Sequence, residues 1–324
     1  MKRLVVIIVL FVGLGTGWFG KVYFDKKPLT RNPISIIKPR TLDKYTFENL
    51  AKAEIKPGEI KIENNLFTLN FSPDLTGKEV KKVTGLVNLP SGKGPFPIIV
   101  MLRGYVDQKL YQTGDGTRKA GEYFAKNGFI TVAPDFLGYG ESDKEAADIF
   151  ETRFQTYTTV LALLNSLDFF DSWDKTNIFI WGHSNGGQIA LSVLEITGKA
   201  YPTTLWAPVS QGFPQSILTY IEEADDSGKL LINKLNEFYE LYDPKLYSLT
   251  NYFDKINSQT KIQIHQGTAD DAVPKIRTDK LVKTLSDLDP NLDYFAYPEP
   301  TIIYNPAGIK WWKETCSSLG KTLR

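Results

Sequence analysis

Ser184 stands between two glycines in Trp181-Gly182-His183-Ser184-Asn185-Gly186-Gly187. A serine hydroxyl becomes a useful nucleophile when one group takes its proton and others receive the negative charge that its attack creates. The local spacing speaks to the second need. Asn177-Ile178-Phe179-Ile180 upstream reads as a β-strand, and Gln188 to Leu194 downstream has helical spacing. Strand, Gly-x-Ser-x-Gly, helix is a turn so tight that the serine is strained and its Oγ pushed into the open. Gly182 and Gly186 fit because a Cβ at either would strike neighbouring backbone. The helix start adds free N–H groups and a positive dipole end for an oxyanion. The plainer alternative, a glycine-rich turn with an incidental serine, does not account for the strand and helix on either side.

In such an arrangement the order along the chain is serine, then acid, then histidine. His265-Gln266-Gly267-Thr268-Ala269-Asp270-Asp271-Ala272-Val273-Pro274 supplies an acid loop just past a strand. Asp270 is the expected carboxylate and Asp271 the alternative. The oxyanion hole is expected from two backbone N–H groups. One belongs to Asn185, and the other to Tyr105 in the loop Arg103-Gly104-Tyr105. Two donors aimed at the developing charge are worth several kcal/mol to the transition state. Arg103 is assigned no catalytic role.

The elements that must position these residues follow from the pattern. Ile60-Lys61-Ile62, Leu66 to Phe71 and Glu79 to Leu89 read as strands, the last alternating imperfectly. Phe96 to Leu102 is a continuous apolar run, as for a parallel strand covered on both faces. Helical stretches are expected over Thr117 to Lys126 and Phe154 to Leu167, with strands at Phe129 to Ala133, Thr203 to Leu205, Ile262 to His265 and Leu292 to Tyr297. This alternation argues an α/β protein, a doubly wound mostly parallel sheet. From Phe213 to about Ile256 the alternation breaks. A helical insertion there is either a cap over the site or packing on the sheet edge. Its aromatics (Phe238, Tyr239, Tyr242, Tyr247, Tyr252 and Phe253) either line a pocket or form core.

At 324 residues the chain can bury one substantial core, so one domain with additions is expected. A net charge of +1 leaves no basic footprint for nucleic acid. The single cysteine, Cys316, excludes an intrachain disulfide. Two histidines without a neighbouring carboxylate pattern make a poor metal site, and the turn glycines Gly85 and Gly92 to Gly94 make no phosphate loop, so no cofactor is expected. Lys2-Arg3 before an apolar run from Leu4 to Phe19, closed by Lys21, reads as a signal peptide or N-terminal anchor over residues 1–27. The lack of a small-x-small cleavage site favours an uncleaved anchor. The basic residues before the span favour a membrane attachment with the catalytic domain outside the cytoplasm, although Lys26-Lys27 weigh against it. Residues 28–57 are expected to be a spacer, and 58–324 the main domain.

From about Val83 to Pro298 the chain resembles a serine hydrolase of the α/β-hydrolase superfamily, near the prolyl oligopeptidase and dienelactone hydrolase families. The resemblance is carried by "MLRGY", "APDFLGYGESD", "WGHSNGG" and "HQGTADDAVP". It implies a Ser–Asp–His site that hydrolyses a peptide or ester bond of a small-molecule or peptide substrate through an acyl-enzyme. The stretch before Val83 is too short to hold a counterpart of the family's β-propeller.

One member of that site is absent. The two histidines are His183, inside the elbow, and His265, ahead of the acid loop; neither follows Asp270. The family places its histidine after the last strand, in a stretch resembling "YPGADH". This chain reads Tyr297-Pro298-Glu299-Pro300-Thr301-Ile302-Ile303. Read from the third base of each codon, Pro298 to Ile303 can encode Gly-Ala-Asp-His-Asn, the His codon straddling Thr301 and Ile302. Tryptophan has one codon, so Trp311-Trp312-Lys313 must read Val-Glu in that frame, within a tail that can read as an amphipathic helix. The sequence therefore suggests a single-base slip near Pro298 that puts the tail to Arg324 out of frame. Two competing accounts are a true loss of the base, leaving a binding protein, and replacement by His265. The second is disfavoured because His265 precedes the acid on the same strand end.

Overall fold

In the computed structural model, residues 39–220, 228–288 and 292–298 are described. The segments read as anchor, residues 1–27, and as out-of-frame tail, residues 299–324, lie outside them. Strands β1 (Glu59–Glu63), β2 (Leu66–Phe71), β3 (Lys81–Asn88), β4 (Phe96–Leu102) and β5 (Ile130–Pro134) precede the elbow strand β6 (Trp173–His183). After it come β7 (Thr203–Trp206), β8 (Ile262–Gly267) and β9 (Leu292–Tyr297). Among the described residues they form one nine-stranded sheet in the order β1-β2-β3-β5-β4-β6-β7-β8-β9. Pairing is antiparallel from β1 to β3 and between β3 and β5, and parallel from β5 through to β9.

The strand order turns around β4, with β5 on one side and β6 on the other. The loops leaving β4 and β6 therefore open a crevice at the carboxyl edge of the sheet, where ligands of such sheets bind. The apolar run of β4 serves two cores. Ile98, Val100 and Leu102 enter the larger cluster, and Ile99 and Met101 the smaller one across the sheet. Strict alternation along a pleated strand forces this division. The helices α1 (Phe47–Lys52), α2 (Arg118–Lys126), α3 (Ile149–Asn165) and α4 (Asn185–Thr197) lie before β7 in sequence. Asp148 caps α3, accepting from the N–H groups of Phe150 and Glu151 at 2.8 and 3.0 Å, so the helix starts five residues earlier than its apolar pattern suggests. The short α5 (Gln215–Leu218), α6 (Lys229–Leu241) and α7 (Lys275–Leu288) follow.

One expectation changes and one open alternative is decided. The spacer read over residues 28–57 is, from Arg40 on, part of the folded unit. Leu42, Tyr45, Phe47 and Leu50 are buried, and the Tyr45 hydroxyl meets Glu151 of α3 at 2.9 Å. A six-residue helix is too short to show periodicity, and packing rather than propensity holds it. The aromatics of the insertion resolve as core: Phe238 packs edge-on to Phe150 and Phe213, and Tyr247 stacks on Phe154. Tyr239 alone of the six is exposed. Helix α6 thus lies on α3, while Tyr220, at the start of the insertion, reaches the acid loop through its hydroxyl and the Ala272 carbonyl, 3.2 Å apart. Among the described residues no helix is long and apolar enough to cross a membrane.

Candidate active site

Ser184 caps α4 with φ 52° and ψ −118°. This region is sparsely populated by residues with a Cβ and costs of order 1–3 kcal/mol unless the surroundings enforce it. They do so by close approach. A Cβ on Gly182 would lie 2.6 Å from the Gly186 carbonyl oxygen, and one on Gly186 would collide with the Leu102 carbonyl at the end of β4. Hydrogen bonds fix the turn from both ends: Ser184 N–H donates to the Trp206 carbonyl at 2.9 Å, and Val209 N–H donates to the Ser184 carbonyl at 3.0 Å.

The loop after β4 rests on the serine. A Cβ on Gly104 would come within 3.2 Å of the Ser184 Cβ and 3.1 Å of the His183 Nδ1. Tyr105 follows, its side chain exposed. The N–H groups of Asn185 and Tyr105 have no acceptor among the described residues. Both residues line a cavity of about 170 Å³ together with Phe136, Leu137, Arg153 and Ile189. Arg103 is tied into the surrounding loops. Its guanidinium donates to the Asp135 carbonyl at 2.9 Å and lies over the Tyr139 ring at 3.9 Å.

Strands β6, β7 and β8 are parallel neighbours, with His183, Trp206 and His265 in register. The acid loop thus leaves the same edge as the serine, two strands away, roughly 10 Å at ordinary strand spacing. Asp270 Oδ1 accepts from the Val273 N–H at 2.8 Å, and Gln266 Nε2 donates to the Val273 carbonyl at 3.0 Å. Asp270 is half-buried and Asp271 exposed. Burial pushes the His183 imidazole down to about 4, and the charge of Asp270 opposes that shift.

Strand β9 ends level with β8. Gly267 pairs with Tyr297, and Thr268 N–H donates to the Tyr297 carbonyl at 2.6 Å. Strand β9 therefore ends beside the acid loop. His265 is built differently. It is fully buried, stacks on Trp206 with ring centroids 4.4 Å apart, and meets the Tyr297 hydroxyl through Nδ1 at 2.8 Å. Burial pushes its imidazole down to about 3. A ring clamped in a stack within the sheet cannot swing to Ser184. Among the described residues no cluster of ligating side chains could hold a metal ion.

A family model described as the alpha/beta hydrolase fold matches residues 97–200, which include the elbow. The fold is that of the α/β-hydrolases. Solved structures with this α/β-hydrolase architecture agree at low sequence identity. Acetyl xylan esterase 1 from Thermoanaerobacterium sp. superposes with a TM-score of 0.56 at 15% identity, over 86% of this chain and 94% of that one. An esterase from Pyrococcus furiosus gives 0.52 at 16%, over 84% and 92%. The acylaminoacyl peptidase of Pyrococcus horikoshii gives 0.57 at 14%, over 82% of this chain and 41% of that one. In sequence, Lipase 1 of Psychrobacter immobilis is 30% identical over 125 residues, 37% of this chain and 36% of the lipase.

Proposed function

We propose that this protein derives from a serine hydrolase that cleaves an ester or peptide bond through an acyl-enzyme on Ser184. The observation that carries the reading is the strained φ of Ser184 at a helix start whose first N–H is free. In the proposed reaction Ser184 Oγ attacks the carbonyl carbon, and the Asn185 and Tyr105 N–H groups receive the oxyanion. Asp270 orients the base. The base takes the Ser184 proton and passes it to the departing alcohol or amine as the scissile bond breaks, which leaves the acyl-enzyme; water deprotonated by the same base then attacks the acyl carbon, and the acid and Ser184 Oγ–H are released. The esterases and the peptidase among the similar folds favour carbonyl substrates, and the sequence likeness to a lipase favours an ester.

The base is the histidine that the shifted frame restores between Thr301 and Ile302. Losing the base of a serine hydrolase costs on the order of a millionfold in turnover. The present chain should therefore show negligible hydrolysis of a short p-nitrophenyl ester, and the frame-restored gene should hydrolyse it, with Ser184 labelled by a fluorophosphonate. Equal activities would refute the assignment of the base, and an unlabelled Ser184 in the restored protein would refute the acyl-enzyme. Resequencing the gene across the codons for Phe295 to Ile303 tests the slip itself; a clean read preserving Glu299-Pro300-Thr301 removes it. In that case a second reading gains ground, a non-catalytic binding protein on the same fold. It is favoured by the sequestration of His265 in its stack. The reading also keeps Leu4 to Phe19 as an anchor holding the domain outside the cytoplasm, which protease treatment of intact cells would test.

A further inference from the structure

The cavity beside Ser184 holds a charge that nothing in it neutralises. Arg153, on α3, lines the cavity with Asn185 and Tyr105. Its Nη2 donates to Gln188 Oε1 at 2.6 Å and to Ser216 Oγ at 3.2 Å, both neutral groups. Its Nε is buried and has no acceptor, and no carboxylate lies within ion-pair distance among the described residues. The second cavity arginine, Arg103, likewise leaves its Nε without an acceptor, but its guanidinium is held otherwise. It donates to the Gly104 and Asp135 main-chain carbonyls, each at 2.9 Å, and lies over the rings of Tyr111 and Tyr139. Glu145 is the one carboxylate among the lining residues, exposed and held by Gln108 at 2.6 Å. Arg153 is half-buried; a guanidinium partly withdrawn from water without a counter-ion is costly, and a planar anion that fills its fork relieves the cost.

We propose that this cavity receives a carboxylate carried by the substrate, and that Arg153 is the specificity-determining residue that binds it. The inference deepens the hydrolase reading and rests on it. Gln188, which anchors the guanidinium, stands one helical turn beyond Ser184, about 6 Å along the axis. A chain of about three methylenes between the scissile carbonyl and the carboxylate spans that offset. The substrate class is then the monoester or monoamide of a short dicarboxylic acid. The flanking Phe136, Leu137 and Ile189 accommodate the methylenes.

Calorimetric titration of the full present chain with monomethyl glutarate, and with methyl pentanoate as its neutral counterpart, tests this without any turnover. The charged ester should bind at least tenfold more tightly. Arg153→Met should erase the difference, Arg153→Lys should keep part of it, and Ser184→Ala should leave it unchanged. Should Arg153→Met fail to fold, the wild-type chain still decides, because the preference must shrink with added salt. Equal binding of the two esters, no binding of either, or a preference that survives Arg153→Met overturns the inference. Arg153-dependent binding in a protein whose frame-restored form is not labelled at Ser184 would keep the subsite and discard the acyl-enzyme.

Discussion

At the ends of β4 and β6 the backbone builds the proposed chemistry: Ser184 is bent by the contact of Gly182 and Gly186 with main chain, and the proposed oxyanion donors are N–H groups. At the ends of β8 and β9 side chains build it. Asp270 is posed by its bond to Val273 and by the grip of Gln266 on the same residue, and the proposed third member is a side chain encoded beyond Pro298. The first half cannot be lost while the sheet stands. The second can be dismantled one side chain at a time. The comparison separates chemistry that is inseparable from folding from chemistry that is merely attached to it.

The sharpest way to break this contrast, once the histidine is restored, is Asp270→Asn. It should lower kcat by about 10⁴ in ester hydrolysis, while Asp271→Asn changes it by no more than about threefold, within the scatter of surface substitutions; the reverse result would move the acid to Asp271. On the backbone side, Gly186→Ala drives a methyl into the Leu102 carbonyl. It should destabilise the fold by roughly 3 kcal/mol or more in urea unfolding. Thr268→Ala on the exposed acid loop should stay within about 0.5 kcal/mol.

A smaller effect comes from the two histidines. His183 and His265 are held neutral, at about 4 and about 3, below the ordinary 6.5. As pH falls below 6.5 the unfolded chain takes up protons that the folded chain refuses. Stability should therefore drop between pH 6.5 and 4, by at most about 1.4 kcal/mol per pH unit for each histidine. His265→Phe, which keeps the stack, should remove about half of that slope and leave the turnover of the restored enzyme intact; lost turnover would make His265 the base after all. The smallest effect lies on α4. Glu195 is buried, both of its oxygens lack partners, and burial raises its pKa well above 4.5. Its folded form keeps a proton that the unfolded chain releases above pH 4.5, so stability is lost as pH rises. Glu195→Met should stabilise by roughly 1 kcal/mol at pH 8, with the gain disappearing near pH 4.5.

The elbow was legible because its cause is local. Two glycines around a serine, with a strand before and a helix after, leave few other folds for that stretch. The parallel strands were legible for a similar reason, since unbroken apolar runs such as Phe96 to Leu102 suit a sheet covered on both faces. The segment from Arg40 to Lys52 was not, because its burial comes from residues a hundred positions away, such as Glu151 and Tyr157. The only local trace is Thr46, whose side chain accepts from the Asn49 N–H at 3.2 Å. Arg153 left no trace either. An arginine in a helix reads as a solvated face, and only the packing of α3 against α4 turns it toward Gln188 and the cavity. Asp135 lay inside a recognised motif, yet its ring of donors from Thr84, Tyr111 and Thr113 appears only in three dimensions.

The closing bond between Thr268 and Tyr297 has a genetic consequence. Among the described residues it is the final stitch of the sheet, and the proposed slip begins one codon later. A gene damaged there would still yield a molecule with every strand in place, soundly built but idle. Its abundance in a cell extract would say nothing about the work being done.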